Sequence, residues 1–172
     1  MSAASNMFLY WGSGSPPCWR IMIALEEKNL QGYQNKMLSF EKKEHKSDEV
    51  LAINPRGQVS EVVYYTWLVP ENERHDSAVK RNLEALCTEL KLWEGYLKKL
   101  ESGSFITGKN FTMADVMFFP QVAYAFRYGL SQEKFPRLTD YYSHVKERPS
   151  IQATWPPHWK ESPQAMDLLK DL

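Results

Sequence analysis

The sequence predicts a chain in two parts: an α/β unit of βαβα order over residues 1–60, followed by an all-helical part over residues 61–172. Three observations carry this. The apolar run Met7-Phe8-Leu9-Tyr10-Trp11 stops at Gly12-Ser13-Gly14-Ser15-Pro16-Pro17, and a helical pattern and a second short apolar stretch follow, a strand–helix–strand rhythm. Val79, Leu83, Leu86, Leu90, Trp93, Leu97 and Leu100 are separated by alternating steps of four and three, the stripe of a long amphipathic helix. Residues 116–128 are almost wholly apolar behind Thr112-Met113-Ala114-Asp115, which has the form of a helix-opening capping box.

The totals exclude several classes of function. At 43% hydrophobic and 24% charged residues, the chain has the material for a buried core rather than a disordered one. Lys plus Arg number 21 and Asp plus Glu 21, so there is no basic footprint for nucleic acid or an anionic membrane. Cys18 and Cys87 make no disulfide framework and no metal-ligand spacing, and a reducing compartment is the natural reading. The start, Met1-Ser2-Ala3-Ala4-Ser5-Asn6, has no basic leader segment, and nothing after it approaches a membrane span, so a cytoplasmic protein is expected.

In chain order, residues 7–12 read as a buried strand and residues 17–28 as a helix with Ile21, Leu25 and Ala24 on its inner face. Ser15 stands where an N-cap belongs, and the two prolines suit a first turn whose N–H groups lack partners anyway. A second strand is expected within residues 33–40, parallel to the first because a helix separates them. Glu41-Lys42-Lys43-Glu44-His45-Lys46 is a solvated charge run, Ser47-Asp48 can open a short helix through Ala52, and Asn54-Pro55-Arg56-Gly57 ends it. The long helix is expected over residues 77–101, the apolar helix stops at Gly129, and a further helix runs from Phe135-Pro136 to about Glu147. Trp155-Pro156-Pro157-His158-Trp159 reads as an irregular aromatic crossing, and Ser162-Pro163 opens a last short helix to Leu172.

Ser15-Pro16-Pro17-Cys18-Trp19-Arg20, Asn54-Pro55-Arg56-Gly57-Gln58-Val59 and Thr112-Met113-Ala114-Asp115-Val116, in that order, resemble the cytosolic glutathione S-transferases. The rho class, theta/zeta-like, is the nearest match. Its runs are similar to Trp11-Gly12-Ser13-Gly14-Ser15-Pro16-Pro17-Cys18-Trp19-Arg20, Leu38-Ser39-Phe40-Glu41-Lys42, Glu73-Arg74-His75-Asp76-Ser77-Ala78-Val79-Lys80-Arg81-Asn82 and Lys146-Glu147-Arg148-Pro149-Ser150-Ile151. The resemblance implies a thioredoxin-like, glutathione-binding N-terminal unit and a helical-bundle C-terminal domain. It also exposes a gap: the cis-proline, hairpin and acidic-residue-plus-serine helix expected after Val59 are replaced by Ser60-Glu61-Val62-Val63-Tyr64-Tyr65. About fifty residues are missing by the usual size of such units, which gives a truncated thioredoxin-like part.

By the same resemblance Ser15 is the catalytic residue, its hydroxyl donating to the glutathione sulfur, while His45 and Gln58 meet the glycyl carboxylate and Val59 offers its backbone. Tyr10 and Ser13 are rival thiolate donors, and Ser15 could simply cap its helix. Ser15-Pro16-Pro17-Cys18 also reads as a Cys-x-x-Cys redox motif without its attacking cysteine, so dithiol exchange is not expected, and Cys18 serves as a small helix-face hydrophobe. His75, His144 and His158 have no ligand spacing, and no metal is expected. The implied partners are glutathione as co-substrate and a hydrophobic electrophile, with a homodimer or pairing with intact subunits. A non-catalytic, ligand-binding or dimer-modulating role is the alternative, because the group that should hold the γ-glutamyl end of glutathione is missing.

Overall fold

A parallel pair of strands opens the chain. In the computed structural model, which describes residues 6–53, 69–73, 75–163 and 167–172, β1 (Phe8–Trp11) and β2 (Gln34–Met37) pair with Phe8 opposite Gln34 and Trp11 opposite Met37. Parallel strands need a crossover, which α1 (Pro16–Glu27) supplies. The second strand is shorter than its apolar pattern: after Leu38 donates its N–H to the Trp11 carbonyl at 2.7 Å, the chain turns at Phe40. A 3₁₀ turn (Glu44–Lys46) and α2 (Asp48–Ile53) follow. Among the described residues the sheet has only these two strands, and it leaves Phe8 and Met37 about half exposed.

The chain divides into two compact units, Met1–Ser60 with Pro149–Ser162, and Glu61–Arg148 with Pro163–Leu172. In the first, the core face of α1 is Trp19 and Ile23, whereas Ile21 is 50% exposed, not inward as its spacing suggested. The reason is aromatic. Trp19 packs edge-to-face on Trp155 and Trp159 at 5.3 and 5.4 Å, and its indole N–H donates to Thr154 Oγ1 at 2.9 Å. Burying an indole outweighs burying an isoleucine, so the helix rotates to serve Trp19. The stretch expected as an irregular crossing, residues 155–159, follows the short α6 (Pro149–Ala153) and is itself helical in part, entering α7 (Pro157–Glu161).

The second unit is built on α3 (Asp76–Leu97), α4 (Met113–Arg127) and α5 (Pro136–Lys146). The expected capping box forms: Thr112 Oγ1 accepts the Ala114 N–H at 3.2 Å and Asp115 Oδ2 accepts the Thr112 N–H at 2.8 Å. Gly129, at φ +88, lets the chain leave α4 in the left-handed conformation that stops a helix. Residues 164–166 of the expected last helix lie outside the described residues; residues 168–171 form a turn rather than a helix, and Leu169 is buried with its N–H on the Tyr128 carbonyl at 2.9 Å.

α3 and α5 complete each other's ends. Phe135 stands at the N-cap of α5 and has no side-chain oxygen, so the buried carboxylate of Glu94 on α3 accepts the Arg137 and Leu138 N–H groups instead, at 3.0 Å each. Arg137 in return donates to the carbonyls of Leu97 and Leu100, at 3.1 and 2.7 Å from Nη2, which closes α3 four residues before its apolar stripe implied. Bonds from a carboxylate to backbone N–H are charge-assisted, so Glu94→Ala is expected to cost about 2–3 kcal/mol in urea denaturation. Glu94→Gln, which keeps one acceptor, should recover part of the loss.

Candidate functional site

The loop between β1 and α1 is held by two glycines for two different reasons. A Cβ on Gly12 would lie 2.0 Å from Cζ of Phe40, so the ring rests directly on the backbone there. Gly14 has φ +78, a conformation that side chains resist. Ser13 and Ser15 alternate with these fixed points. The Ser15 N–H donates to the Gly12 carbonyl at 3.1 Å and the Ser15 carbonyl accepts the Trp19 N–H at 2.9 Å, so the loop passes directly into α1.

Ser15 is the N-cap of α1 and only 4% exposed, yet its side chain makes no capping hydrogen bond. The hydroxyl that the sequence assigned either to capping or to chemistry is therefore not spent on the helix. Pro16 and Pro17 occupy the first two helical positions and have no N–H to offer. A sulfur anion at this helix start would meet hydroxyls and the favourable end of the helix dipole rather than a full set of backbone donors.

The rival donors are differently placed. Tyr10 donates its hydroxyl to Glu49 Oε1 at 2.6 Å, and Lys36, opposite Tyr10 in the strand register, meets Glu49 Oε2 at 2.6 Å. The hydrogen bond to Glu49 raises the Tyr10 pKa above its ordinary value, and the bonds from Lys36 and Tyr10 hold the Glu49 carboxyl below its own. Ser13 is engaged as well: its Oγ lies 2.7 Å from His158 Nδ1 on α7. Nothing in the sequence announces that contact, because 145 residues separate the two and His158 has no motif that ties it to the Ser13 loop.

His45 lies one ring away from the loop, edge-on to Phe40 with centroids 5.4 Å apart. Its ring is partly exposed, but Nδ1 is buried and meets no hydrogen-bond partner among the described residues. Burial, with the charges of Lys46 and Lys43, lowers its pKa and favours the neutral ring. Phe40 thus brings the glycine loop and His45 together. Gln58 and Val59 lie outside the described residues. Both cysteines are free, and no group of three or more His, Cys, Asp or Glu side chains that could hold a metal occurs among the described residues. No helix of the described residues is long and apolar enough to cross a membrane.

The chain as a whole resembles known proteins. The family described as "Glutathione S-transferase, C-terminal domain" matches residues 56–154. "Glutathione S-transferase A" of Pleuronectes platessa is 50% identical over 225 aligned residues, which take in 98% of this chain and 100% of that protein. Among solved structures, a glutathione S-transferase from the Antarctic clam Laternula elliptica superposes with a TM-score of 0.78 at 34% identity, covering 95% of this chain and 98% of the clam's. The transferase URE2P6 of Phanerochaete chrysosporium, solved with oxidized glutathione, shares the fold with a TM-score of 0.74 at 22% identity, over 95% of this chain and 99% of its own. With half of its positions shared along the whole length of the plaice protein, and a thioredoxin-like strand pair followed by a helical part, the chain belongs to the glutathione S-transferase family.

Proposed function

We propose that this chain conjugates glutathione, as its thiolate, to hydrophobic electrophiles such as xenobiotics or lipid aldehydes, and that it does so with weakened affinity for glutathione. The observation that carries the reading is Ser15: a buried hydroxyl at a helix start, unused by the helix. There its O–H donates to the sulfur and favours thiolate over thiol. His45 meets the glycyl carboxylate as a neutral N–H donor, alongside Gln58 and the backbone of Val59. Residues 1–60 serve as a partial glutathione-binding domain and residues 61–172 as the helical family domain. The protein works in the cytoplasm, as a homodimer or paired with intact subunits.

The weakness follows from an internal deletion after Val59 in a rho-class chain. It is supported by the plaice alignment, whose 225 positions exceed the 172 residues here by 53 while covering all of that protein. The group that should hold the γ-glutamyl end would fall in the missing stretch. Loss of such a charge-assisted contact costs about 1.5–3 kcal/mol, more than tenfold in affinity. Titration calorimetry should give a dissociation constant of about millimolar size, and a conjugation assay at saturating glutathione should give slow but measurable turnover. Micromolar binding would refute the deletion argument. An absence of turnover at any glutathione concentration would leave only the non-catalytic role, which the half-exposed Phe8 and Met37 of the sheet favour through pairing with another subunit.

A further inference from the structure

A hydroxyl can stabilise a thiolate but cannot take up the proton that the thiol must lose. Among the described residues Ser15 has no base on it, and the Tyr10 hydroxyl is committed to a carboxylate that Lys36 also holds. Ser13 differs: its Oγ lies 2.7 Å from a bare-or-protonated imidazole nitrogen, Nδ1 of His158. Imidazole is the side chain suited to exchanging protons near neutrality.

We propose that Ser13 and His158 form the proton-accepting couple of the thiol site. The glutathione S–H passes its proton to Ser13 Oγ as Ser13 passes its own to His158 Nδ1. One S–H and one O–H bond break, one O–H and one N–H bond form, and a thiolate and an imidazolium remain. Ser13 touches the sulfur, and His158 acts through it as a positioning residue. The inference rests on the transferase reading above.

The single contact serves both states of the sulfur. While the imidazole is neutral at Nδ1, Ser13 donates to it and turns a lone pair outward to accept the S–H. Once Nδ1 is protonated it donates to Ser13 Oγ, whose new O–H points to the thiolate. Hydroxyl and imidazole hydrogen positions are free to make this exchange without moving a heavy atom.

Both partners are held from beneath. Ser13 stands between Gly12, pressed by Phe40, and Gly14, in its left-handed turn. His158 is followed by Trp159, 4% exposed, which packs on Trp19, and Trp19 in turn bonds the Ser15 carbonyl through its backbone N–H. The indole cluster therefore fixes the helix start and the histidine as one body, the preorganisation that proton transfer needs. Exposure divides the labour: Ser15 is buried, whereas Ser13 is partly exposed and His158 exposed, open to a thiol arriving from solvent.

The test compares His158→Asn, His158→Ala and Ser13→Ala at neutral pH and saturating glutathione, reading turnover and the ultraviolet thiolate absorbance of bound glutathione. Asparagine can keep a hydrogen bond to Ser13 but cannot take a proton. His158→Asn and Ser13→Ala should each lower turnover about a hundredfold, abolish the thiolate absorbance and leave the KM for glutathione unchanged. The double variant should be no worse than either single one. If His158→Asn matches the unaltered chain while His158→Ala does not, the histidine only holds the loop and the proposal fails. If all three variants match the unaltered chain, it fails as well. Turnover by the unaltered chain shows that the transferase reading survives either result; no turnover and no thiolate signal in the unaltered chain removes both.

Discussion

Asp115→Ala is expected to cost about 3–5 kcal/mol of folding stability, because a buried, hydrogen-bonded charge is removed and its partners are left in place. Asp115 is fully buried and accepts the Thr112 N–H at 2.8 Å, the Ile106 N–H at 2.9 Å, the Tyr141 hydroxyl at 3.2 Å and the Thr112 hydroxyl at 3.3 Å. It thereby joins the start of α4, the loop before it and α5. Against a total of about 5–15 kcal/mol for an ordinary domain, the loss is a large fraction, and urea denaturation followed by circular dichroism would measure it. Asp115→Asn keeps the shape and some of the acceptors and should lose less. Tyr141 adds a pH dependence of definite sign. Burial first, then the charge and hydrogen bond of Asp115, raise its pKa far above the ordinary 10.0. The folded chain thus holds this proton more tightly than the unfolded one, so its contribution is intact below pH 10 and is lost as the pH rises beyond that. A denaturation series carried into the alkaline range should show stability falling there.

The box at Thr112 and Asp115 was legible in the sequence because it is local: both partners lie within four residues and the pattern names the bonds. The parallel strand pair was legible by a different route, through its apolar runs and the helix between them, which forces a parallel crossover. What could not be read are the contacts that join distant stretches. Glu94 reaches the start of α5 across 43 residues, and nothing in the amphipathic stripe of α3 distinguishes this glutamate from its solvated neighbours. Ile21 was placed inward by period alone, and the three-tryptophan cluster with residues 155–159 turned the helix by its own packing needs. In the candidate site, the loop from Gly12 to Ser15 was legible as a helix start with Ser15 at its N-cap, and Pro16 and Pro17, which have no N–H, leave the hydroxyls as its main donors. Ser13 and His158 meet only through the fold.

Ser15→Ala should separate two roles that the sequence alone left entangled. An N-cap serine that bonds its helix loses about 0.5–2 kcal/mol on replacement by alanine. Ser15 makes no such bond, so the substitution should leave the urea midpoint nearly unchanged. Its effect should fall on chemistry instead. A hydroxyl aimed at developing negative charge on sulfur acts like a donor of an oxyanion hole, and removal of one such donor lowers turnover about a hundredfold or more. Because the bond strengthens as the thiolate forms, the loss belongs to kcat, and the KM for glutathione should move little. A large drop in stability with turnover preserved would mean that the hydroxyl serves the fold after all, and the donor would then have to be sought at Ser13. Turnover lost, stability kept and KM unchanged would place the hydroxyl at the sulfur. Helix α1 would then owe its start to the prolines and the glycine-fixed loop, and its N-cap serine would be free for catalysis.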